Sequence, residues 1–378
     1  MSERCPWMRV VRFTLMWCVL GGFGLIQPAA EARVIRVPVN YPTIQAAVNA
    51  ASAGDTVIVS PGKYRERVTL KGGVRLHAVK TLEGNVSPAS SATDVLSQDV
   101  VIDARGVPVQ NGNKYVIGWS PTTSRIEVVG FTVIAEGGVG ILVRGANHLI
   151  EQNKMFAAAA DSAISIPMAT NCTIVGNHAG HSIDFTTGID LLLSSQIYLT
   201  NNVAEGESYA IRITGGRSNL LQGNLAVTTG AFYNDAILLD STGAWLQNNT
   251  AFATDAAGLR ATALHLRNGA GADVINCILV APPQAVPAGQ PRISYGVLAE
   301  GGSSANLSYS DVVGGTRPIS GVGVALGGGV INADPLFVDF SAFDFRLQPL
   351  SLALHHGAGG FNRDGTTPAD MGAYGGIF

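Results

Sequence analysis

Between residues 190 and 267 the sequence holds Asp190, Glu207, Tyr209, Arg212, Tyr233, Asp235, Asp240, His265 and Arg267. An imidazole or a carboxylate can take a proton, and a guanidinium can neutralise an anion beside the reacting atom. Proton abstraction from a carbon next to a carboxylate needs both, which makes Arg212, His265, Asp235 and Glu207 the candidate catalytic groups. Tyr209 and Tyr233 offer flat faces for stacking, and Asp190, Asp240 and Arg267 offer polar contacts, so these five are the candidate binding residues. Asp and Glu are also the ligand type for Ca2+, although their spacing specifies no metal set and no other cofactor. The same residues have a plainer reading. Asp190 over Arg212, and Asp240 over Arg267 and Glu300, would be surface ion pairs worth ~0–1 kcal/mol each, and His265 a solvated outward side chain.

These residues are distant in sequence, so a repeat must align them. Ile150-Glu151-Gln152-Asn153, Ile174-Val175-Gly176-Asn177, Leu199-Thr200-Asn201-Asn202, Leu221-Gln222-Gly223-Asn224 and Leu246-Gln247-Asn248-Asn249 share an aliphatic-x-x-Asn pattern with the Asn 22–25 residues apart. A second pattern keeps step with it: Gly140-Ile141, Ala163-Ile164, Gly188-Ile189, Ala210-Ile211, Ala236-Ile237, Ala263-Leu264 and Gly296-Val297. Two registers in phase over this length predict a parallel β-solenoid. Each turn holds short strands that pair with the turns above and below at ~4.8 Å. In the Ile-x-Ile strands the aliphatic residues face inward by the pleat, and those between them face out. One outward row then reads Ser165, Asp190, Arg212, Leu238, His265, Leu298, and the next Leu192, Thr214, Asp240, Arg267, Glu300. The candidate residues fall on this one lengthwise strip, joined by loop residues that include His181, Asp184, Glu205, Phe232 and Arg260. The repeated Asn residues read as turn formers in a left-handed or bridging conformation, with amides able to bond along the stack.

Composition agrees. Charged residues are only 13%, Gly makes up 46 of 378 residues and 47% of the chain is hydrophobic, which excludes a disordered chain and long charged surface helices. Arg4, Arg9 and Arg12, the apolar stretch Phe13 to Ile26 and Ala30-Glu31-Ala32 read as a signal peptide over residues 1–32, too short in its apolar part to span a membrane. The formal net charge is −3, and about −4 without that segment, the wrong sign for a nucleic-acid groove. Cys172 and Cys277 remain, four coils apart and so beyond disulfide reach.

Near the N-terminus Tyr41-Pro42-Thr43-Ile44-Gln45-Ala46-Ala47-Val48, then Gly54-Asp55-Thr56-Val57 and Pro61-Gly62-Lys63-Tyr64-Arg65-Glu66, together with the repeat, make the chain resemble the right-handed parallel β-helix proteins of the pectin-lyase-like superfamily. Thr43 suits an N-cap, with Ile44, Ala47, Val48 and Ala51 on one helical face that closes the open end of the solenoid. The C-terminal Asp334-Pro335-Leu336-Phe337, Asp344-Phe345-Arg346-Leu347 and Asp370-Met371-Gly372-Ala373-Tyr374 resemble a tail of secreted β-helix proteins and read as a cap over the last coil. The resemblance implies that the sheet after the long loops binds and cleaves uronate polymers. Hydrolase and esterase patterns are matched only by Gly180-His181-Ser182 and Asp184-Phe185-Thr186-Thr187-Gly188, which depart from both. With five lysines in the chain, a lysine-based lyase site has few options.

The resulting expectation is an all-β chain: a single-stranded right-handed parallel β-helix with a capping helix within 33–55, coils over 56–330 and a tail over 331–378. It would be secreted or periplasmic and monomeric, without a membrane span. It would bind an acidic polysaccharide and cleave it by a lyase-type reaction, or else serve as a non-catalytic structural or adhesive rod.

Overall fold

The computed structural model describes residues 31–79, 99–109, 112, 114–119, 125–158, 160–180, 185–230, 233–254, 260–282, 293–315, 317–359 and 369–374. Residues 1–30 of the expected signal peptide lie outside them, as do His181, Asp184 and Phe232. Within Arg33–Phe378, which forms one unit, short strands wind through about nine turns of a right-handed parallel β-helix. Among the described residues the strands stack into parallel sheets of 13, 10 and 10 strands, here called A, B and C in the order the chain meets them in each turn. Each turn therefore hydrogen-bonds to the next, and strands of two to eight residues persist because no edge is open along the stack.

The Asn repeat has a physical cause. Asn153, Asn177, Asn202, Asn224 and Asn249 are fully or almost fully buried at the corner between sheets A and B. Each Nδ2 donates to the Oδ1 of the next at 2.9–3.0 Å. Each Oδ1 also accepts the backbone N–H one coil back, as Asn202 does from Asn177 at 3.0 Å. The left-handed turn is made by the residue before: Gln152, Gly176, Asn201, Gly223 and Asn248 have φ between 52° and 65°. The ladder Asn are thus buried hydrogen-bonding struts, and the turn conformation expected of them belongs to their predecessors. Cys277 and Ser310 continue the ladder, with Asn249 N–H donating to Cys277 Sγ at 3.4 Å and Cys277 N–H to Ser310 Oγ at 3.1 Å.

The Gly/Ala-aliphatic repeat marks the corner entering sheet C. Ala210 and Ile211 are both buried in the core, so the inside–outside alternation slips by one there. A Cβ on Gly188 would lie 2.6 Å from the Ala210 carbonyl oxygen, which reserves this position for glycine.

At the N-terminal end the helix Ile44–Ala50 places Ile44, Ala47 and Val48 in the core. Thr43 Oγ1 accepts from Ala46 N at 3.2 Å, while Glu66 accepts from the N–H groups of Ile44 and Gln45, both at 2.9 Å. Asp55 binds the Arg33 backbone and guanidinium and the Ser52 N–H, which ties the first strand to the end of the helix. These contacts are the reason for the N-terminal motif residues.

The described residues of the tail run back along the outer face of sheet B. Phe345, Ala353, Met371 and Ala373 pack with Leu225, Val227, Phe252, Ile278 and Val280. Asn276 accepts from Ala358 N at 2.6 Å and donates to its carbonyl at 3.0 Å. The outer face of sheet B is apolar, and leaving it in water would cost ~25 cal/mol per Å2. Over these coils the outer face of sheet B is closed by the chain's own tail.

Candidate functional site

On sheet C the strands Phe185–Leu192, Tyr209–Thr214, Tyr233–Asp240 and Arg260–Arg267 lie side by side. Their register places Asp190 beside Arg212, Arg212 beside Leu238, Leu238 beside His265 and His265 beside Leu298. The next row runs Thr214, Asp240, Arg267, and the row before the small-residue corner runs Tyr209, Asp235, Thr262, Tyr295. The strip exists as the repeat implied.

Its side chains form three clusters. In the first, Arg212 Nε and Nη2 donate to the two Asp190 oxygens at 2.8 and 2.9 Å, and the guanidinium carbon sits 5.3 Å from the centre of the Tyr209 ring. Hydrogen bonding to Asp190 pushes the Arg212 guanidinium above its ordinary range. The fork uses two of the five N–H donors of Arg212, and others remain for an anion.

The second cluster centres on His265. Its Nδ1 is 2.9 Å from Asp235 Oδ2 and its Nε2 is 3.1 Å from Glu300 Oε1. Arg260 Nη2 donates to both Asp235 oxygens at 3.1 and 3.2 Å, and its guanidinium lies 5.5 Å from the centre of the exposed Tyr233 ring. Leu238 and Leu298 flank the imidazole in the row, and His265 is only 1% exposed. That corrects the expectation of a solvated histidine. The ring points outward from the sheet, but its neighbours in the stack and both carboxylates cover it.

The third cluster is Asp240, which accepts from Arg267 at 2.8 Å, Asn268 at 2.9 Å and Ser241 at 3.0 Å. Burial pulls its carboxyl upward, and these donors outweigh it and hold it below the usual carboxylate range. The Asp190–Arg212 and Asp240–Arg267 pairs are therefore present. The expected Arg267–Glu300 pair is replaced by the Glu300–His265 contact.

Of the candidate catalytic groups, the structure joins Asp235 and His265, puts Arg212 in a separate cluster and leaves Glu207 exposed in the turn before Tyr209. Glu205, expected beside this sheet, belongs to sheet B, where it meets His178 Nε2 at 2.8 Å in a buried pair. Arg260, rather than Arg212, is the cation at Asp235. Position alone could have raised its standing, because it stacks on Tyr233. Among the described residues no three His, Cys, Asp or Glu side chains gather as a metal set.

The family model described as periplasmic copper-binding protein (NosD) matches residues 122–274. No curated protein matches the sequence. Among solved structures, the pectate lyase Pel9A superposes on 91% of this chain and 96% of its own, with a TM-score of 0.53 at 11% identity. The chain has the pectate-lyase fold. PfbA, a surface adhesin of Streptococcus pneumoniae, is similar over 76% of this chain and 87% of its own at 14% identity and a TM-score of 0.41. The A-module of the Azotobacter vinelandii mannuronan C-5 epimerase AlgE6 is similar over 77% and 94%, at 14% identity and a TM-score of 0.38. At these identities the likeness concerns the β-helix itself, and function has to be argued from its surface. No helix among the described residues is long and apolar enough to cross a membrane.

Proposed function

We propose that this β-helix is an extracytoplasmic protein, exported by its N-terminal segment, that binds an acidic polysaccharide across the outer face of sheet C. The observation that carries the reading is the pair of tyrosine–arginine contacts, Tyr209 with Arg212 and Tyr233 with Arg260, each arginine anchored by a carboxylate on the rigid strip. A tyrosine face takes the apolar side of a sugar ring, and an anchored guanidinium takes a uronate carboxylate in the plane beside it. Adjacent coils repeat at ~4.8 Å, so a chain laid along the axis meets both contacts without bending.

In this reading the surface binds rather than cleaves. A general base must come within hydrogen-bonding reach of the proton that it removes, and His265 has both nitrogens engaged by carboxylates and almost no exposed surface. A copper role does not fit the described residues either. Soft thiolate and imidazole ligands would have to converge, whereas Cys172 and Cys277 are buried in separate stacks and no ligand cluster forms among the described residues.

The test is retention of polygalacturonate and alginate by the exported chain and by the Arg212→Ala/Tyr233→Ala double variant, alongside absorbance of unsaturated product. The expected result is retention by the parent, loss of about tenfold or more in the variant with unchanged melting, and no product. Equal retention by both proteins overturns the binding surface. Product formation overturns the non-cleaving reading.

A further inference from the structure

Sheet A carries a second surface of a different kind. Immediately before the aliphatic residue of each Asn repeat stands an outward residue, and the register aligns Tyr198, Leu220, Trp245, Asp273 and Asn306 in one row. Trp245 is 63% exposed and Tyr198 is 45% exposed. An indole left in water on a rigid strand is an unusual use of a large apolar side chain, and this one is also held in place. Its Nε1 donates to Asp273 Oδ2 at 2.9 Å, and Asn306 Nδ2 donates to the other oxygen of that carboxylate at 2.8 Å. The polar edge of the ring is thereby satisfied, its orientation is set by the two following coils, and its face is left for a ligand.

The ring borders a groove of about 520 Å3. The second row along its floor reads Gln247, Ile275, Ser308, and the far end is made by Leu326 and Gly327. From Leu220 to Ala325 the groove crosses four coil spacings, about 19 Å at ~4.8 Å each. Among the described residues that line it, Asp273 is the one charged side chain, and that carboxylate is already bonded by two neutral donors.

We infer that this groove binds a neutral oligosaccharide, with one pyranose ring stacked on Trp245 and its hydroxyls bonded by Gln247, Asn306 and Ser308. A sugar ring has a flat C–H face and a rim of hydroxyls. The groove supplies the matching halves: an oriented aromatic plane, with an amide on the same strand and an amide and a hydroxyl two coil spacings, about 10 Å, away. An acidic sugar finds no cation among the described residues of this groove, in contrast to sheet C. A protein partner would meet a surface in which the apolar residues are interrupted by amides, a hydroxyl and a carboxylate in adjacent rows. The site is separate from the sheet C strip and does not depend on that reading.

The experiment is isothermal titration of the exported chain with cellohexaose, xylohexaose and mannohexaose, with hexagalacturonate as the charged counterpart. It is repeated on Trp245→Ala, Trp245→Phe and Arg212→Ala. At least one neutral hexasaccharide should bind. Trp245→Ala should weaken it about tenfold or more, Trp245→Phe by about threefold or less because a flat face remains, and Arg212→Ala not at all. Melting should be unchanged in Trp245→Ala, since the side chain is exposed. The inference is overturned by absence of binding to all three neutral sugars, by equal affinity in Trp245→Ala, or by hexagalacturonate binding that requires Trp245. It is also overturned if sedimentation shows that Trp245→Ala removes a self-association of the parent and leaves sugar affinity intact.

Discussion

Asp235 and His265, thirty residues apart in the chain, meet at 2.9 Å because Asp235 lies in the strand Tyr233–Asp240 of sheet C and His265 in the strand of the next coil. Asp235 is 2% exposed and His265 1%. The contact is a buried strut between coils, and Glu300 extends it to the following coil. Replacing His265 by Ala removes the partner of two carboxylates, one of them buried, and opens a cavity. The expected loss is about 3 kcal/mol of stability in denaturant unfolding, with polysaccharide retention on sheet C kept. A variant as stable as the parent would show that the network contributes nothing to the fold.

The Asn ladder should be sensitive at its centre. Asn202 accepts from the backbone and side chain of Asn177 and donates to Ile174 O and Asn224 Oδ1, all at 2.9–3.0 Å. Asn202→Ala strands these groups in the interior and should cost about 3 kcal/mol, whereas Gln247→Ala on the exposed surface should change stability by under ~0.5 kcal/mol. Chemical denaturation of the two variants decides it.

Asp311 sets a pH dependence. The residue is fully buried, its Oδ1 accepts from Ala333 N at 3.0 Å and its Oδ2 has no partner. Burial, with nearby Asp334 adding to it, pushes the carboxyl up to about 6 against the single backbone hydrogen bond. A carboxyl raised on folding binds its proton more tightly in the native state. Its contribution is therefore complete below about pH 3.8 and is lost as pH rises through 6, a difference of about 3 kcal/mol. Asp311→Asn should raise the melting temperature at pH 7–8 and leave it nearly unchanged at pH 3.5. A constant difference between the two proteins across that range would contradict the assignment.

The thiols should be inert. Cys172 and Cys277 are unpaired and fully buried. Desolvation pushes the Cys172 thiol upward and the Cys277 thiol up to about 11. An aromatic disulfide reagent at pH 8 should label neither in the native protein and both in denaturant, because the thiolate is the nucleophile. Intact mass of the exported protein should show two thiols, and a bridge between them would refute the coil register.

Period and residue type determined the coil by themselves. Spacings of 22–25 residues between Asn153, Asn177, Asn202, Asn224 and Asn249 dictate which residues stack, because each turn of a solenoid pairs with the next at one fixed distance. That was enough to place Asp190 on Arg212 and Asp240 on Arg267, to bury Ile211 and Ile237 and to separate the two cysteines. The N-terminal helix was legible for a local reason: its cap, apolar face and stop signal lie within a few residues.

Tertiary structure alone decided how the outward face is covered. A repeat says that His265 points away from the core, and it does not say that Leu238, Leu298, Asp235 and Glu300 will close over it, since shielding depends on side chains from the coils on either side. Trp245 stands in the same repeat as the Asn ladder, and the period places it on the outer face without saying how much of its ring the neighbouring coils leave exposed. The tail residues Phe345, Met371 and Ala373 fold back on coils about 100 residues earlier in the chain, a contact with no local signature. Periodicity encodes neighbours along the axis. What lies beside the helix is set by long-range packing of surfaces that the period leaves unspecified.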